Sequence, residues 1–155
     1  MFTSMFMHGG WLHLIGNMWF LWIFGDNIEA AMGSGRFLVF YLLCGLAAGL
    51  TQMALDPHSM LPMLGASGAN AGVLGIYMIT YPVARIRTMI PIVLVWPVVP
   101  IPAMLWIGVW IATQFHSQGQ AALQGALGGE AYAAHIGGFI AGIMLGIPMR
   151  RRAPS

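Results

Sequence analysis

Lysine does not occur in this chain, cysteine occurs once, and the acidic residues number four. Each scarcity excludes something. One thiol, Cys44 inside an apolar run, rules out a disulfide framework within the chain and reads as a buried, inert side chain. Only 6% of the 155 residues are charged, against roughly 25% in soluble domains, which is too little to cover a surface in water. There is no HExxH stretch, so the usual helical zinc-protease pattern is missing, and no metal or cofactor is implied. No basic face exists that would hold phosphates, which argues against nucleic acid as a partner.

What the chain has instead is apolar length. Hydrophobic residues make up 59% of it and the mean hydropathy is +0.79. No charge falls between Arg36 and Asp56, between Asp56 and Arg85, or between Arg87 and Glu130. Each gap holds a segment near the ~20 residues that cross a hydrocarbon core of ~30 Å. The expected fold is an all-α, multi-pass bundle in a lipid bilayer, one domain over 1–155, with spans at 9–32, 36–55, 65–82, 100–116 and 131–148. Gly33-Ser34-Gly35 makes the first turn, and Asp56-Pro57 marks the far end of the second span. Pro91, Pro97, Pro100 and Pro102 argue against one helix through 88–102, which reads as a packed connection. SQGQAALQGALGG (117–129) reads as a flexible outer loop.

Along these spans Arg36, Arg85, Arg87, Arg150, Arg151 and Arg152 all fall on one side of the membrane. The positive-inside rule makes that side cytoplasmic, C-terminus included, and puts the first residues outside. The pI near 9.1 therefore reports topology. Short loops and an all-arginine inner face point to a prokaryotic plasma membrane. The opening MFTSMFMHGGW has neither a positive n-region nor a small-residue cleavage site, so an upstream helix is expected to precede it.

Polar residues at membrane depth are expensive and therefore informative. HGGWLHLIGN carries His8, His13 and Asn17; GASGANAG (65–72) carries Ser67 and Asn70; AHIGGFIAG carries His135. Thr51, Gln52 and Thr80 are scattered. His13 and Asn17 are four apart and share a helix face, and both can donate hydrogen bonds; on their own they are as compatible with interhelical packing. Ser67 falls at the start of its helix, where free backbone N–H groups favour developing negative charge. Gly68 and Gly72 are four apart, as are Gly138 and Gly142. If these small faces meet, the backbones approach closely and His135 comes level with Ser67. A serine within reach of a histidine is the minimal activated nucleophile.

With these stretches in view, the chain resembles the rhomboid family of intramembrane serine proteases. GASG matches the family's GxSG, AHIGGFIAG its AHxxGxxxG, and HGGWLHLIGN its HxxxxHxxxN. FGDNIEAAMGSGRFLVFYLLCG and TYPVARIRTMIP are further points of likeness, so the resemblance covers essentially the whole chain. It implies Ser67 as nucleophile, His135 as general base, His13 and Asn17 as oxyanion donors, and His8 as an auxiliary residue. It also implies a six-helix bundle of which this chain supplies about five helices, an aqueous cavity opening outward, and transmembrane protein segments as substrates. Two departures stand out. The family's first helix and following loop have no counterpart here, and Ala71 occupies a position where some members carry an aromatic that stacks on the histidine. His135 is expected to lack that support, and with Asp26, Glu29, Asp56 and Glu130 placed elsewhere, the site is expected to be a dyad with no third member. The outer loop 117–129 and the start of the span before it are the expected gate.

Two rival protease classes fail on spacing: there is no zinc motif, and Asp26 and Asp56 lie at span ends, not facing each other within helices. A transporter would carry a polar stripe through the membrane, whereas these polar groups gather on one side. The alternative that remains is a rhomboid-like binding protein for transmembrane clients, incompetent for cleavage.

Overall fold

Side-chain size sets how the elements of this chain pack. The computed structural model describes residues 3–55, 57, 65–90, 96–123 and 132–150. In chain order, a 3-10 turn (Thr3–Phe6) precedes α1 (Trp11–Phe20), a π-helical turn (Leu21–Gly25), α2 (Asp26–Met32), α3 (Ser34–Leu55) and α4 (Ser67–Thr80). A hairpin of β1 (Arg85–Met89) and β2 (Val98–Pro102) then leads to α5 (Ala103–Leu123) and α6 (Tyr132–Met149). By length and composition, α3 and α6 could each cross a membrane.

The span expected over 9–32 is one helical run with a π turn in it. A π turn takes an extra residue and so rotates the helix beyond it. Asn17 faces inward before it and Phe24, Ile28 and Met32 face inward within and after it. Gly33, with φ 88°, reverses the chain into α3. That helix turns bulky apolar residues outward and, from Cys44 onward, small ones inward. Leu38, Val39, Leu43 and Leu50 are exposed, whereas Cys44, Gly45, Ala48 and Gly49 are buried. Lipid tails are as apolar as leucine, so helices in a bilayer associate through small residues that let backbones close up.

α4 is the centre of the bundle: every residue from Gly68 to Tyr77 is buried. A side chain at Gly138 would strike the Gly68 carbonyl, one at Gly142 the Gly72 carbonyl, and one at Gly146 would strike Ile76, so α4 and α6 run parallel in close contact. On the other flank Gly68 meets Ala48 and Gly72 meets Cys44, which sets α3 antiparallel to α4. Arg150 donates to the Thr80 hydroxyl at 3.2 Å and ties the ends of α6 and α4 together. α4 has 14 residues, about 21 Å of helix, and falls short of a ~30 Å hydrocarbon core. α3 continues for seven residues beyond Ala48, so Ser67 lies about 10 Å below the end of α3.

The proline-rich connection contains an antiparallel hairpin, with Arg85 opposite Pro102 and Met89 opposite Val98. Residues 91–95 lie outside the described residues. Pro100 and Pro102 are accommodated because a two-stranded sheet is all edge. One expectation about α5 is corrected. The helix runs to Leu123, so residues 117–123 are helical and not loop; one glycine, Gly119, is tolerated among alanines and glutamines at a cost of ~1 kcal/mol. Residues 124–129 of the expected loop lie outside the described residues. At the start of α5, part of the expected gate, Ala103 and Ile107 are buried.

Gly142→Val places a branched side chain against the Gly72 backbone. It is expected to lower stability by about 1–3 kcal/mol or to abolish folding, whereas Leu50→Val on the lipid side changes little. Thermal unfolding in detergent checks this, and equal stability of the two variants would refute the close approach.

Candidate active site

Ser67 is the first residue of α4, and the α4–α6 contact determines what it faces. His135 stands one turn into α6, and its Nε2 lies 2.9 Å from the Ser67 Oγ. The start of α6 is held by α3: the Ala134 N–H donates to the Gln52 side-chain carbonyl at 3.2 Å, satisfying one of the unpaired donors of that helix end. Thr51, beside Gln52, packs against Gly137. Two of the scattered polar residues thus support the helix that carries the histidine.

His135 has a partner on its other side. Its Nδ1 lies 2.8 Å from the Oε1 of Gln114 on α5. The Trp110 ring, one turn earlier on α5, flanks the imidazole with centroids 5.9 Å apart at 41°. Ala71 supplies no ring to stack on the imidazole; its aromatic neighbour, a tilted indole, comes from α5 and not from α4. The expected two-residue site also has a third polar member, an amide and not a carboxylate. Two residues from the expected end of its span, Gln114 reads in the sequence as an edge residue, and its pairing with a group 21 positions away leaves no local pattern. A glutamine in an apolar helix was nonetheless a signal in its own right.

The α1 residues lie across from the serine. Asn17 is buried; its amide nitrogen donates to the His13 carbonyl at 3.1 Å, leaving a second N–H over. Asn70 on α4 holds it, donating to the Asn17 backbone carbonyl at 3.0 Å and to its side-chain oxygen at 3.1 Å. The Asn70 oxygen in turn accepts from the Tyr41 hydroxyl at 3.0 Å. Buried polar groups linked in this way specify one arrangement. Asn70 was visible as a polar residue at depth; Tyr41, in the aromatic run of α3, gave no such sign.

His13 is exposed toward the cavity, and its ring lies on the backbone of Gly65. A side chain at Gly65 would meet the His13 ring at 2.8 Å, and the residue has φ 108°, so glycine is required there twice over. The Gly65 N–H donates to the Ser4 carbonyl at 3.0 Å, which anchors the 3-10 turn beside the site. His8 packs edge-on against His13 with centroids 5.2 Å apart, its Nε2 buried and without a partner among the described residues. A cavity of about 340 Å³ lies between these groups, lined by His13, Asn17, Ser67, Ala71, Trp110 and His135 among others. That volume falls in the range of ordinary ligand sites.

Known proteins share this chain's pattern. The rhomboid domain family matches residues 1–152. The mitochondrial Rhomboid protein 1 of Saccharomyces cerevisiae is 31% identical over 147 residues, 92% of this chain and 39% of the yeast protein. Rhomboid protease GluP of Bacillus subtilis is 40% identical over 73 residues, 47% of this chain and 14% of that protein. Inactive rhomboid protein 1 of Drosophila melanogaster is 37% identical over 71 residues, 46% of this chain and 5% of that protein. The chain thus spans well under half the length of these relatives. A mitochondrial protein among them overturns the expectation of a prokaryotic plasma membrane, because short loops and arginines do not distinguish the two settings. A match over almost the full length, on a mostly helical bundle with apolar spans, places the chain in the rhomboid family of membrane proteins.

Proposed function

We propose that this chain carries the active site of an intramembrane serine endopeptidase acting on transmembrane segments of other proteins. The observation that supports it most is the 2.9 Å approach of Ser67 Oγ and His135 Nε2 at the recessed start of α4. Geometry of this kind is the mark of a base-activated nucleophile. Ser67 Oγ attacks the peptide carbonyl carbon while His135 Nε2 takes the hydroxyl proton. The resulting imidazolium protonates the amine as the C–N bond breaks, leaving an acyl ester on Ser67. Water, deprotonated by His135, then hydrolyses the ester and restores the serine.

The negative oxygen of the tetrahedral species is assigned to the Ser67 backbone N–H, the spare N–H of Asn17 and the His13 ring. The first N–H groups of α4 and its positive dipole end add to that field. His8 supports His13 from behind. A substrate helix hides its peptide bonds in its own hydrogen bonds, so the cleaved stretch is one that unwinds easily. The arginine-bearing end of the bundle takes the side favoured by the positive-inside rule, and the site opens to the other. A second reading, a non-cleaving binder of transmembrane clients, is motivated by the inactive Drosophila relative. The presence of both Ser67 and His135 favours the protease.

A fluorophosphonate probe in membranes is expected to label the parent chain and neither Ser67→Ala nor His135→Ala. An inserted, folded parent that takes no label would favour the binding reading. Asn17→Ala is expected to lower kcat by about 10²–10³-fold with little change in KM, measured on a transmembrane peptide substrate. A loss confined to KM would remove Asn17 from the oxyanion site.

A further inference from the structure

We propose that Gln114 is the positioning residue of the site, fixing both the tautomer and the ring plane of His135 from the neighbouring helix α5; this deepens the protease reading and rests on it. A neutral imidazole carries one N–H, and only the tautomer with a bare Nε2 can take a proton from serine. The Gln114 Oε1 is an acceptor and nothing else, so its 2.8 Å approach to Nδ1 places the proton there. The Nε2 lone pair is then free to accept from the Ser67 hydroxyl at 2.9 Å.

What keeps the amide the right way round is its other end. The Gln114 Nε2 donates to the Thr113 hydroxyl oxygen at 3.3 Å. That hydroxyl gives its own proton to the Trp110 carbonyl at 2.6 Å, so its oxygen is left as an acceptor. Four hydrogen bonds therefore run in one sense, from Ser67 through His135, Gln114 and Thr113 to the backbone of Trp110. The indole of that same Trp110 flanks the imidazole. Three residues within a turn of α5 thus act on one ring of α6.

An amide suits this position. A carboxylate would stabilise the imidazolium more strongly, but an ionised group costs several kcal/mol to hold at membrane depth, and a neutral amide holds the ring without that penalty. A neutral third member behind a histidine base is also chemically sufficient, since asparagine fills the place in some cysteine proteases.

The test uses the full chain in lipid nanodiscs, with Gln114→Leu and Gln114→Glu beside the parent. ¹⁵N spectra of the histidine side chains report the tautomer directly, with the His135 signals identified by their loss in His135→Ala. The parent is expected to show a protonated Nδ1 and a bare Nε2, and Gln114→Leu a mixture of tautomers. Gln114→Leu is expected to lower kcat by about 10- to 100-fold at unchanged KM. Gln114→Glu, which restores the acceptor, is expected to recover most of the rate. Its carboxylate favours the charged imidazolium, so the acidic limb of the kcat–pH profile moves to higher pH. Identical His135 tautomers in the parent and Gln114→Leu would overturn the proposal, as would parental kcat and pH profile in Gln114→Leu. A parent that neither cleaves nor labels would sink the protease reading alone, and the tautomer comparison then decides the role of Gln114 by itself.

Discussion

The contact between α4 and α6 is the constraint that fixes the geometry of the site. Gly68 and Gly72 on one helix, and Gly138 and Gly142 on the other, leave backbone against backbone. At that separation a serine at the head of α4 and a histidine one turn into α6 can share a hydrogen bond. Any larger side chain in the seam would part them. The hydrophobic effect does little to drive this contact in lipid, because the exposed leucines of α3 are as well solvated by acyl chains as its interior is by neighbours. Packing of small residues and a few polar links supply the specificity instead.

Those links are distributed so that each element of the site is held by a different helix. α3 contributes Gln52 to the head of α6 and Tyr41 to Asn70. α4 contributes Asn70 to Asn17 on α1, and α5 contributes Gln114 to His135. Asn17, Asn70 and the head of α6 thereby find their partners within the bundle, as polar groups in an apolar solvent require, while His8 Nε2 is left buried without one among the described residues. The individual bonds are weak, ~0.6 kcal/mol on average for interhelical pairs in a membrane, so the arrangement holds through their number and mutual orientation.

Polar residues were legible in this sequence because they are so few. Ser67, His135, His13 and Asn17 stand out against an apolar background, and the glycines four apart show which helix faces can close. Spacing within one helix is a local property, so it survives in the sequence. What was not legible is pairing between segments. Gln114 reads as peripheral because the local pattern ends the span at residue 116, whereas alanine and glutamine carry α5 on to Leu123. Trp110 could have faced lipid as its neighbour Val109 does. Tyr41 is one aromatic in a run of them, and the strand pairing of Arg85–Met89 with Val98–Pro102 depends on partners that local pattern does not reveal.

The depth of the serine turns the bundle into a ruler. Ser67 lies about 10 Å below the end of α3, and an extended chain advances about 3.3 Å per residue. An extended stretch of about three residues covers that distance. On the proposed protease reading, discrimination among segments rests on how readily a helix surrenders those few residues.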